Sequence, residues 1–140
     1  MRSRAFLIAA GAALLLAAPC CHKELRPQLR PKPTLAGLTR HGILRERQAE
    51  LVTDALRAAL LEWAGYEARV IEFVSPEHTA KNLMIVAVRR PGPDASQRRA
   101  NAVRALAGAF GIRQQRLAEH LGFALAAPGA AGSSTDSAPG

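Results

Sequence analysis

Cysteine is nearly missing from this chain, and the two present, Cys20 and Cys21, are neighbours. Adjacent cysteines seldom bridge, because the geometry strains the peptide between them. A disulfide framework is therefore excluded, and cysteine usage gives no support for an oxidising compartment. Lysine is almost as scarce. Lys23, Lys32 and Lys81 are the only three, so arginine supplies the rest of the 19 basic residues. Beside so much alanine, this reads as a codon bias towards Arg and Ala, which weakens the net charge of +8 as a pointer to nucleic acid. A basic surface still favours polyanions such as RNA. No apolar run reaches the roughly 20 residues that a membrane-spanning helix needs, and no membrane partner is expected. No internal repeat occurs. A length of 140 residues allows one domain, expected over 1–122. Residues 123–140, mostly Ala, Gly, Ser and Pro without periodicity, are expected to be disordered.

The apolar run Ala12–Ala18, followed at once by Pro19-Cys20-Cys21-His22-Lys23, has two incompatible readings. With Arg2, Arg4 and Ala5–Ala18 it resembles a signal peptide, which would make the protein exported or lipid-anchored. That reading fails further along. Leu16 stands where a cleavage site needs a small residue, and Pro19 stands where a lipidation site needs one. The other reading is a strand buried on both faces, with neighbours on both sides. Its thiols and imidazole then sit at its carboxyl end, where open α/β sheets place ligand chemistry.

Other elements follow from periodicity. Residues 5–11 read as a helix end stopped by Gly11, and 26–39 as an irregular, proline-broken connection. Leu44–Ala64 is the clearest helix. Leu44, Leu51, Val52, Ala55, Leu56, Ala59, Leu60 and Trp63 form one apolar stripe. Arg47, Glu50, Asp54 and Arg57 lie opposite, as i,i+3 pairs of a solvated face, and Gly65 stops the helix. Arg69–Val74 and Leu83–Val88 read as strands, too close in sequence for a helical crossover and so antiparallel. A helix capped by Asp94 or Ser96 runs to Phe110 and ends at Gly111, and a short helix lies near Arg116–Leu121. The fold class is α/β.

Three blocks then carry a resemblance: LLLAAPCCHKEL (14–25), HGILRERQAELVTDALRAALLEWAGY (41–66) and VIEFVSPEHTAKNLMIVAV (70–88). In that order they resemble the carboxyl half of a group of class I S-adenosylmethionine-dependent methyltransferases, in which a Pro-Cys-Cys-His-Lys block ends the fourth strand. The resemblance implies a partial Rossmann-like sheet of carboxyl-terminal strands and helices, and a cytoplasmic enzyme with S-adenosyl-L-methionine as methyl donor. It leaves the methyl acceptor unidentified. It places Pro19, Cys20, Cys21 and Lys23 beside the pocket for donor and target atom. Glu77, His78, Thr79, Lys81 and Asn82 fall on the substrate side. His22 is the candidate base, since an imidazole takes a proton near neutral pH.

The departure from the family is large. Its Gly-rich turn after the first strand and its acidic residue ending the second are both missing. Gly108-x-x-Gly111 ends a helix and does not replace them. The expectation is a fragment, inactive alone, with a missing amino-terminal half. The blander readings stand beside this. The cysteines make no zinc set, because no second cluster accompanies them. Free cysteine is usually a small buried apolar residue. His78 could simply brace a turn, and Trp63 suits a core better than a stacking platform. The cluster Arg89, Arg90, Arg98 and Arg99 could be a solvated surface or an RNA grip.

Overall fold

The computed structural model describes residues 11–19, 22–73, 77, 82–90 and 96–126. Its elements run β1 (Leu14–Ala17), α1 (Gly42–Trp63), β2 (Tyr66–Glu72), β3 (Leu83–Arg89), α2 (Ser96–Ala109) and α3 (Arg116–His120). The expected helix end at 5–11 lies almost wholly outside the described residues. The connection over 26–39 is more regular than its prolines suggest. Arg26–Gln28 and Pro33–Thr39 are 3-10 helical, each with proline in its first turn, where the missing N–H costs nothing.

The sheet has three strands in the order β1-β3-β2, and both pairings are antiparallel. The antiparallel pair expected from the short 69–83 spacing is therefore present. β1 and β2 consequently run parallel to each other, joined through α1, with β3 inserted between them. This is a split β-α-β unit. It is mixed helix and strand, as expected, but not a parallel Rossmann-like sheet. β2 begins three residues earlier than its composition suggests. Gly65, at φ +94°, turns the chain tightly out of α1, and Tyr66 already pairs with Arg89.

The first strand corrects its expectation. It lies at an edge of the described sheet, and it is not buried on both faces. Leu15 packs inward with Tyr66, Ile85 and Ala87 against Leu61 of α1. Leu14 and Leu16 are 54% and 62% exposed on the other face. Val88, Ile71 and Phe73 are also exposed, and Leu14 and Val88 are paired residues. An all-apolar tetrapeptide does not distinguish one covered face from two. Two further contacts hold the strand: Arg89 N–H donates to Ala13 O at 2.9 Å and Tyr66 OH to Ala12 O at 2.9 Å.

The larger core lies on another side of α1. Val52, Leu56 and Leu60 meet Leu25 and Leu29, with Ala100, Val103 and Ala107 of α2. Full burial of a leucine is worth about 1.5–3 kcal/mol. Trp63 joins this core, edge to face with Phe123 at 4.7 Å. Phe123 and Leu125 are buried in it too, so the ordered core passes the expected boundary at 122. Residues 127–140 lie outside the described residues. α2 closes as its glycine predicts, with Gly111 at φ +69° and Ile112 N–H bonded to Ala107 O at 2.9 Å.

The single apolar stripe read on α1 is also corrected. Leu44, Leu51 and Ala55 are exposed, while Asp54 and Arg57 are buried. Because α1 packs both on the sheet and on α2, it buries two faces. Positions 54, 57 and 61 belong to the second of them.

Candidate functional site

The connection after β1 brings an imidazole into the protein. His22 is buried, and its Nε2 lies 3.1 Å from Asp54 Oδ2 on α1. One turn on, Arg57 Nη1 donates to Asp54 Oδ1, also at 3.1 Å. All three side chains are less than one-tenth exposed. A buried carboxylate is tolerable only when paired and hydrogen-bonded, and Asp54 has a partner on each oxygen.

The arrangement fixes the chemistry of the ring. As a carboxylate, Asp54 can only accept, so Nε2 carries the proton. In the neutral form of the ring Nδ1 then carries the lone pair. Arg57 shares the carboxylate and limits the negative charge facing the imidazole. The array suits a proton acceptor of fixed tautomer. Among the described residues no group of three His, Cys, Asp or Glu side chains could hold a metal ion.

The sheet register brings other residues read from the sequence to one end of the sheet. Ala17 is paired with Ile85, and Glu72 with Leu83. The carboxyl ends of the parallel strands β1 and β2 therefore flank the start of β3. Pro19, just after β1, and Asn82, just before β3, are both buried there. Lys23 and Glu77 are exposed. Cys20, Cys21, His78, Thr79 and Lys81 lie outside the described residues.

Asp54 and Arg57 are the members of this buried array that periodicity missed. The signal was available: Asp54, Arg57 and Leu61 recur at i, i+3 and i+7, which marks a second helix face. The other i,i+3 pair, Arg47–Glu50, is exposed as expected, at 3.3 Å. The arginine cluster is partly engaged within the protein. Arg90 pairs with Glu67 at 2.7 Å, and Arg99 donates to Glu62 O at 2.9 Å. Arg69 also binds Glu67, at 2.9 Å. Hydrogen bonding by Arg69, then the charge of Arg90, holds the Glu67 carboxyl below its ordinary range. A cleft of about 410 Å³ beside these groups is lined by Glu62, Tyr66, Glu67, Arg90 and Arg99.

No protein family matches this sequence, and no curated protein and no solved structure matches it.

Proposed function

We propose that this chain carries the acceptor side of a class I S-adenosylmethionine-dependent methyltransferase, with His22 as the group that takes the acceptor's proton. The observation that supports this most is the pairing of His22 Nε2 with buried Asp54 Oδ2, directly behind the Pro-Cys-Cys stretch. The position also favours it, since ligands of open α/β sheets lie beyond the carboxyl ends of parallel strands. Removing a proton from the acceptor atom raises its nucleophilicity, and a base of fixed tautomer and orientation is worth roughly 10²–10⁴ in rate.

The residues present do not fit the donor. The Gly-rich turn and the acidic residue are missing from the sequence, and Gly111 closes α2 instead of following a strand. No residue of this chain is therefore given to S-adenosylmethionine. A larger sheet accords with two features. Among the described residues the outer edge of β1 has no strand beside it, and Leu14 and Leu16 are exposed on its open face.

Calorimetry with S-adenosylmethionine tests the reading. The chain alone should give no heat. The product of the reading frame extended upstream should bind the donor. Absence of binding by the extended product overturns the proposal. The exported alternative predicts a mature product starting near residue 20. Such cleavage would remove β1 and take Leu15 from the core, and amino-terminal sequencing decides it. Among the described residues no helix is long and apolar enough to cross a membrane.

A further inference from the structure

We infer a docking surface for a nucleic-acid backbone on two adjoining segments, Arg26–Lys32 and Ala109–Arg116, away from the arginine cluster of β3 and α2. Backbone hydrogen bonds lock the segments together. Arg30 N–H donates to Phe110 O at 2.8 Å, and Lys32 N–H to Ala109 O at 3.0 Å. Gln28 ties them again, donating to Gln114 O at 2.9 Å and accepting from Arg113 N–H at 3.1 Å. Gly111, at φ +69°, lets the segments meet, since a Cβ there would stand 2.7 Å from Arg30 O.

The chemistry of the strip is one-sided. Leu29 and Ile112 are buried, and Phe110 packs against the same core. Arg26, Arg30, Lys32, Arg113 and Arg116 are exposed. Arg45 reaches the strip from α1, donating to Arg26 O at 3.4 Å. Against these six cations stand Glu24, Glu46 and Glu119. Glu46 pairs with Arg26 at 2.7 Å, and Glu24 Oε1 accepts from Arg116 N–H at 2.6 Å.

A second observation points to an anion. Arg26, Pro27 and Arg45 line a cleft of about 260 Å³. Among the described residues Arg45 Nε, beside the cleft, and Glu24 Oε2 are buried with no partner. Exposed Arg26 borders this cleft, and a phosphate oxygen entering it would gain a charge-assisted bond. Planar guanidinium groups on a fixed strip suit successive phosphodiesters. A membrane surface is the weaker fit, because the large apolar side chains of both segments turn inward instead of outward towards lipid. The surface does not depend on the methyl-transfer reading.

Fluorescence anisotropy of the full chain with a labelled 20-nucleotide oligouridine tests this, titrated between 50 and 200 mM NaCl. Binding should weaken with salt, and the log–log slope should fall by about 0.7 for each phosphate contact removed. R30Q/R113Q should flatten the slope by about 1.4, and R98Q on α2 should leave it unchanged. Circular dichroism checks that the variants fold. If the double variant does not, R113Q alone should flatten the slope by about 0.7. Absence of binding at 50 mM NaCl, an unchanged slope in R113Q, or binding to phosphatidylserine vesicles without binding to RNA overturns the inference.

Discussion

His22 Nε2 and Asp54 Oδ2, separated by 32 positions in the chain, meet at 3.1 Å in the interior. This contact ties the segment behind β1 to the middle of α1. It joins a histidine singled out by its sequence surroundings to a carboxylate that periodicity placed in solvent. A double-mutant cycle with H22A and D54A should therefore give a coupling of about 0.5–3 kcal/mol in unfolding free energy.

Removing Asp54 should cost more than removing His22. D54A leaves the Arg57 guanidinium buried without its carboxylate, a loss of about 3–5 kcal/mol. H22A removes one hydrogen bond to a charged group, about 1.5–3 kcal/mol. Urea unfolding of the two variants gives the order. Equal midpoints would mean that Asp54 and Arg57 are solvated after all.

The two faces of β1 should respond unequally. Leu15 is buried under α1, so L15A should lose about 2–5 kcal/mol. Leu16, on the open face, should stay within about 0.5 kcal/mol on the same change. If both variants unfold like the wild type, Leu14–Ala17 is not part of the folded protein.

Glu67 should titrate below the usual carboxylate range, because Arg69 and Arg90 hold it ionised. A depressed folded-state pKa stabilises above the unfolded value, and the contribution disappears as pH falls through the folded one. Carbon-13 NMR of the side-chain carboxyl should show the low midpoint. The midpoint should return towards normal in 1 M NaCl, since the group is exposed and screened.

Gly111 should tolerate no side chain. At φ +69°, with Arg30 O in the path of a Cβ, G111A should destabilise by about 1–3 kcal/mol. The melting temperature measures this directly. Gly37 has open space around it, and G37A is the control that should not lower it.

Much of the architecture was legible. The 3.6-residue period from Val52 to Leu60 marked α1, Gly65 and Gly111 marked its stop and that of α2, and the short spacing between β2 and β3 gave their antiparallel pairing. The errors share a cause. Period counting assumes one buried face per helix, and α1 has two, so Asp54 and Arg57 were assigned to solvent and Leu51 to the core. The run Leu14–Ala17 alternates in burial but not in composition, so its open face was invisible. Of the candidate site, His22 and its location behind β1 were readable. Its partner was not, because a contact across 32 positions leaves no local pattern. The basic strip was hidden for the same reason: its halves lie about 80 positions apart and are joined by backbone bonds such as Arg30 N–H to Phe110 O.

Methyl transfer by the product of the upstream-extended reading frame, comparing H22A with the wild type, is the most direct test of the proposed role of His22. The account predicts a fall of at least roughly 100-fold in kcat with donor affinity retained. Transfer at the wild-type rate in a folded H22A protein would contradict it.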